Sequence, residues 1–184
     1  ALVLVSLFVT ILGKPVLLVL WVAGISLGCA YSVQPVRFKS RSWLALASLI
    51  LVLAILPTLF VYFSLTYALD PLFIVSLVGL ALTVYGLIIP TEIRDYFGDK
   101  AMGIESMTVH LGLVKASVLS ILLLSAGGVL LASGFVLRIV SGAHPVLAVF
   151  VLAAVAADAI VLRQFVKLYS LSKRHASSSD NGST

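Results

Sequence analysis

Residues 71–103 read PLFIVSLVGLALTVYGLIIPTEIRDYFGDKAMG. Twenty residues without a charge, 71–90, are followed at once by Glu92, Arg94, Asp95, Asp99 and Lys100. Twenty apolar residues wound as a helix reach across the hydrocarbon core of a bilayer. Four of the chain's seven acidic residues, Glu92, Asp95, Asp99 and Glu105, lie between that run and the next long apolar run at 113–137. Ionisable groups at a membrane boundary are costly to bury, so their default role is a functional site with a partner. For clustered carboxylates that partner is a divalent cation.

The rest of the chain fits the same pattern. Of 184 residues, 61% are hydrophobic and only 10% are charged. A soluble domain of this size needs far less apolar surface, and the runs are long enough for helices rather than barrel strands. The sequence therefore predicts an all-α, polytopic transmembrane bundle. Its spans fall at 15–32, 43–67, 71–90, 113–137 and 145–168, preceded by a partial helix at 1–12, so five to six helices are expected. Gly13-Lys14-Pro15, Leu69-Asp70-Pro71 and Ser141-Gly142-Ala143-His144-Pro145 are turns. Residues 1–175 form one membrane domain, and the Ser-rich stretch 176–184 is expected to be a disordered tail. A single cysteine, Cys29, excludes an internal disulfide.

The net charge of +5 resides in short loops and the tail. It speaks for topology and lipid headgroups, not nucleic acid. Arg37, Lys39 and Arg41 follow the first full span, Arg94, Lys100 and Lys115 flank the acidic cluster, and Arg163, Lys167, Lys173 and Arg174 close the chain. If every span crosses once, these three regions share a side, and the basic excess makes it the cytoplasmic side of a cell membrane. Lys14, Asp70, Arg138 and His144 fall opposite.

If residues 91–103 are helical, Glu92, Asp95 and Asp99 stand at i, i+3 and i+7, within about 60° of arc. Like charges so placed repel, more strongly near a low-dielectric boundary. Mg²⁺ relieves that repulsion. It is commonly held by one or two carboxylates together with substrate phosphates and water, which suits an open acidic stripe. On the same predicted side, Arg37 and Lys39 are suited to diphosphate oxygens, Arg37 in bidentate fashion. A plain solvated loop and plain positive-inside anchoring are the ordinary alternatives for these two segments.

Together the two segments resemble the UbiA superfamily of intramembrane prenyltransferases. Asp95-x-x-Gly98-Asp99-x-x-x-Gly103-Ile104, continuing to Ser106 and Val109-His-Leu-Gly112, is similar to the second aspartate-rich motif of that superfamily and the residues just after that motif. Tyr31-Ser32-x-x-Pro35-x-Arg37-x-Lys39 is similar to the loop after its fourth helix. The resemblance runs from about Val16 to Lys167. It implies a bundle of about nine helices around a cavity that opens to the cytoplasm and to lipid. It also implies two acidic motifs holding Mg²⁺ ions, a polyprenyl diphosphate donor, and a hydrophobic aromatic or lipid acceptor of quinone or isoprenoid-lipid biosynthesis. Carried over, Asp95 and Asp99 are metal ligands and the catalytic pair, and Glu92 is a weaker ligand. Tyr31, Arg37, Lys39, Lys100 and Arg94 are diphosphate contacts, Arg94 the least direct because it points away from the stripe.

Two departures matter. The superfamily's first motif, of the Asn-x-x-x-Asp kind, is absent: the only asparagine is Asn181, and the only acid before Glu92 is Asp70. Pro35 stands where many members have a basic residue. The expectation is a C-terminal portion of a prenyltransferase, lacking the N-terminal half with its first motif, and inactive alone. The alternatives are a non-catalytic membrane protein or degenerate half, and a transporter. Asp158, the one acid deep in a span, lacks the paired basic residue or inverted repeat a transporter needs and is expected to face the bundle interior. A phosphotransferase of the CDP-alcohol class is set aside because its Asp-Gly-x-x-Ala-Arg signature does not occur.

Overall fold

The computed structural model describes residues 13–38, 42–104, 106–142 and 146–180. The predicted partial helix at 1–12 and the end of the tail, 181–184, lie outside the described residues. Among the described residues every regular element is helical, as expected for an all-α membrane bundle. Four helices are long and apolar enough to cross a membrane: Pro15–Ser32, Leu44–Leu65, Pro71–Ala101 and Leu113–Val140. Large apolar side chains such as Val19, Leu65, Val129 and Leu152 stay exposed, which is tolerable only where the surroundings are lipid or further protein.

The chain divides into two compact units, Ala1–Pro71 and Leu72–Thr184. The first contains α1 (Pro15–Ser32), α2 (Ser42–Ile50) and α3 (Leu56–Leu65). Helix α1 starts with proline at its first turn, where no amide donor is needed. A π-helical turn, Leu51–Ile55, joins α2 to α3 just before Pro57, so the second span is one rod with a widened turn. That turn accommodates a proline in mid-span, where a regular ladder would lose a bond and clash. Lys14 is buried, and its Nζ donates to the carbonyls of Phe63 (2.9 Å) and Ser64 (2.8 Å). The ammonium also lies 4.2 Å from the centre of the Tyr67 ring. A cation thus caps the C-terminus of α3, where carbonyls lack partners and the helix dipole is negative. Nearby, Tyr62 donates its hydroxyl to Ala68 O (2.8 Å) and accepts the Asp70 amide (3.0 Å).

The second unit contains α4 (Pro71–Ala101), the short α5 (Met107–Leu111), α6 (Leu113–Val140) and α7 (Val146–Asp180). Helix α4 is 31 residues long and continues through Pro90, so the apolar run and the acidic cluster form one rod rather than a span and a separate segment. Proline at position 90 cannot donate to the carbonyl of Gly86. Ser120 on α6 does so instead, its hydroxyl 2.6 Å from Gly86 O in a buried setting. Side-chain hydroxyls commonly re-satisfy backbone groups freed by proline in membrane helices.

Helices α4 and α6 approach closely through small residues. A side chain added at Gly79 would come within 2.8 Å of the Leu131 amide nitrogen, and one at Gly86 within 2.8 Å of Leu124 Cγ. Small residues at such crossings let backbones meet where lipid offers no hydrophobic drive. Ile89, Ile93 and Ala116 form the buried core beneath the acidic end of α4, with Tyr85, Leu119 and Leu168 packed on it. Ser117 and Ser172 bond across α6 and α7 at 3.2 Å. Helix α7 covers the fifth predicted span and stays helical through Asp180, into the stretch where the sequence predicts disorder.

Candidate functional site

The carboxylates of α4 occupy its last three turns. At about 1.5 Å per residue its 31 residues extend about 46 Å, longer than a hydrocarbon core of about 30 Å. The charged end therefore projects beyond the apolar part. It stops at Gly103, whose φ of 68° lies in the left-handed region. The Ile104 amide bonds Asp99 O (2.9 Å) and the Gly103 amide bonds Lys100 O (3.3 Å). These two bonds and the left-handed glycine make a Schellman stop, which turns the chain back toward α5.

Glu92 is half-buried and reaches across that turn. Its Oε2 accepts the backbone N–H of Thr108 at 3.4 Å. Thr108 is the second residue of α5, after the N-cap Ser106, so the carboxylate satisfies one of the amides that a helix start leaves without an intrahelical partner. Ser106 and Thr108 also join through their hydroxyls at 3.2 Å. Glu92 thus clasps the segment beyond the acidic end.

Asp95 is exposed and Asp99 half-exposed, one helical turn apart. Asp95 Oδ1 pairs with Nε of its neighbour Arg94 at 3.2 Å, with the two side chains 56% and 77% exposed. A pair so open to water contributes little, and either partner is available to a competing ligand. Lys100 lies 5.9 Å from the Tyr96 ring centre, beside the stripe. The C-terminal turn of a helix carries partial negative charge and favours cations. Here the last turn carries Asp99 next to Lys100, with Asp95 one turn earlier. Two carboxylates one turn apart at the negative end of a dipole form a local excess that a divalent cation with phosphate and water ligands would relieve. Two exposed or half-exposed carboxylates of this kind suit an open arrangement with phosphate and water, in which Mg²⁺ could be held. Among the described residues no three His, Cys, Asp or Glu side chains converge on one point, so a closed cage is not what α4 presents.

In the other unit, Tyr31 sits in the last turn of α1. Arg37 is exposed, and its backbone has φ of 33°, a strained choice for a residue with a side chain. Its amide bonds Val33 O at 2.9 Å. Lys39 lies outside the described residues. Sequence reasoning did not find the roles of Thr108 and Ser120. The serine before the short Met107–Leu111 run was the one local signal, a helix N-cap residue.

A model of the UbiA prenyltransferase family matches residues 1–178. No curated protein and no solved structure matches the chain.

Proposed function

The chain belongs to the UbiA prenyltransferase family, and from that premise we propose that Asp95 and Asp99 hold Mg²⁺ and, through it, the diphosphate of a polyprenyl donor. The observation that carries this is the placing of two accessible carboxylates one turn apart at the negative end of a helix, beyond its apolar stretch. When bound, the metal supplies Lewis-acid stabilisation of charge on the departing diphosphate. The chain's own residues do the rest. Lys100 offers a cation beside the stripe, and Arg94 can exchange its exposed bond to Asp95 for a phosphate oxygen. Glu92 holds the segment around α5 in place rather than serving as an equal third ligand. Tyr31, Arg37 and Lys39 remain diphosphate contacts on their chemistry and on the sequence resemblance. Apolar helices exclude water from the allylic cation, which a hydrophobic aromatic or lipid acceptor captures. The motif segments are assigned to the cytoplasmic face by their basic residues.

Since no Asn-x-x-x-Asp motif occurs in residues 1–184, we assign these residues one of two facing acidic motifs. The test is prenyl transfer in membranes from labelled geranylgeranyl diphosphate to a panel of phenolic and lipid acceptors. It compares the full-length protein carrying these residues with residues 1–184 alone. Asp95→Ala and Asp99→Ala each lower turnover by about 100-fold or more, and residues 1–184 alone give none. Unchanged turnover in both variants would overturn the metal assignment.

A further inference from the structure

Helix α7 runs antiparallel to α6, and two contacts fix its register: Asp158 rests against Gly128, and Ser172 meets Ser117. Gly86 of α4 packs on α6 between Ser120 and Leu124. Carried across α6, the level of Gly86 falls on α7 between Arg163 and Lys167. Gly86 lies inside the uncharged run 71–90, six residues before Glu92 and so about 9 Å below it along the axis. Arg163 and Lys167, which by sequence belong with the basic end of the chain, are therefore placed at the depth of the apolar span.

Both side chains are exposed, on the side of α7 turned away from α6. At 100° per residue Arg163, Lys167, Ser170 and Arg174 share about 60° of arc, and the buried Ser172 stands opposite. Arg163 and Lys167 are i and i+4, so they are surface neighbours whose like charges repel, and more strongly where the dielectric is low. Among the described residues no carboxylate pairs with either. The chain's own acids are poorly placed to do so. Asp158 is turned to α6, Asp70 precedes the far end of α4, Glu92, Asp95 and Asp99 lie beyond Pro90, and Asp180 ends α7. A second copy alongside would bring the same acids at the same levels. Cations at this depth are costly unless an anion meets them.

We propose that Arg163 and Lys167 together bind the phosphate of one anionic phospholipid, drawn inward along the outer face of α7. Long basic stems reach toward the interface, and the bilayer thins locally to meet them. One phosphate between residues a turn apart accepts charge-assisted hydrogen bonds from both and replaces their repulsion with attraction. The exposed apolar residues Val155, Ile160 and Val166 of the same helix give the acyl chains a surface to lie on. Net charge sets the preference. A zwitterionic headgroup carries its own ammonium into a face that already holds Arg163, Lys167 and Arg174, whereas an anionic headgroup brings no such repulsion.

The full chain is placed in nanodiscs of equal parts phosphatidylglycerol and phosphatidylcholine with matched acyl chains, and lipids retained on release are weighed by native mass spectrometry. One phosphatidylglycerol is retained in preference to phosphatidylcholine by about tenfold or more, as two basic residues near a membrane surface provide. Arg163→Gln combined with Lys167→Gln removes that preference, and Arg163→Lys, which keeps the charge, retains it. Lys173→Gln combined with Arg174→Gln, nearer the water-exposed end of α7 where salt screens charge, changes it by about twofold at most. Should the first double variant fail to fold, the lipid comparison in the unaltered chain and in the second double variant decides. Equal retention of the two lipids overturns the proposal. So does an equal loss in both double variants, which marks diffuse attraction to the basic end. Loss of the preference on adding inorganic phosphate or diphosphate assigns the pair to a water-borne anion, and a retained second chain in place of lipid assigns it to a protein interface; either overturns it. Retention is read without turnover, so the outcome is independent of Asp95 and Asp99.

Discussion

Ser120 donates its hydroxyl to the carbonyl of Gly86, 2.6 Å away and buried. Proline at position 90 is the reason that carbonyl needs a donor, and the acidic end of α4 lies beyond that proline. The link from proline to serine therefore bears on whether the carboxylates project as a helix at all. Ser120→Ala is expected to destabilise the chain by about 1–2 kcal/mol, because a buried acceptor loses its donor. In a Pro90→Ala background the backbone amide regained at position 90 takes over, and the same serine substitution costs about 0.5 kcal/mol or less. Detergent-titration unfolding of the four proteins measures the coupling, and strict additivity contradicts it.

The spans were legible because bilayer thickness imposes a length and an apolar composition that survive any packing detail. The predicted 15–32 coincides with α1. Pro90 was not legible. Locally it reads as a helix end, and what cancels that signal is a hydroxyl 30 residues further on, at Ser120. Lys14 likewise reads as a loop charge, yet it is buried against Phe63 and Ser64 carbonyls some fifty positions away. The acidic stripe was legible as one face because helical periodicity is local. The clasp from Glu92 to Thr108 was not, since it depends on how Gly103 turns the chain back.

Gly103 is the turning point, and open space surrounds it. A Gly103→Ala substitution therefore meets no clash, only the left-handed φ of 68°. The expected cost is about 1 kcal/mol. Hydrogen exchange should quicken at the Ile104 and Gly103 amides while the middle of α4 stays protected. Uniform loss of protection along α4 would contradict a local role.

The clasp and the ligand roles of Glu92 separate in two variants. Glu92→Gln keeps an acceptor for the Thr108 amide but drops the charge, whereas Glu92→Ala loses both. If Glu92 chiefly positions α5, the glutamine variant keeps turnover within about threefold and the alanine variant falls about fivefold or more, in line with one hydrogen bond of about 1 kcal/mol. The Mg²⁺ concentration for half-maximal activity stays level in Glu92→Gln. A large rise in that concentration marks Glu92 as a full ligand instead.

Lys14 tests the first unit on its own. Lys14→Met keeps much of the apolar stem but removes two bonds to α3 carbonyls and the contact with Tyr67. Charge-assisted bonds of this kind are each worth about 1.5–3 kcal/mol when buried, so the expected loss is at the upper end of single-residue effects. Exchange at the 66–70 turn reports it, and an unaltered turn would show that solvent replaces the cap.

The sign of a stability change decides whether the acidic stripe is built for a cation. Without metal, Asp95 and Asp99 repel each other and face the negative end of α4, each effect worth about 0.3–0.5 kcal/mol. Asp99→Asn should therefore raise the unfolding midpoint in metal-free buffer. Adding Mg²⁺ together with inorganic diphosphate should raise the unaltered chain's midpoint, since a ligand that binds only the folded state stabilises it by mass action. The asparagine variant should gain little from the same addition, so the order of the two midpoints inverts. A structural role for Asp99 predicts the opposite, a variant less stable in both buffers. If Mg²⁺ and diphosphate shift both proteins equally, the cation is bound elsewhere and the carboxylate pair is only a solvated helix end.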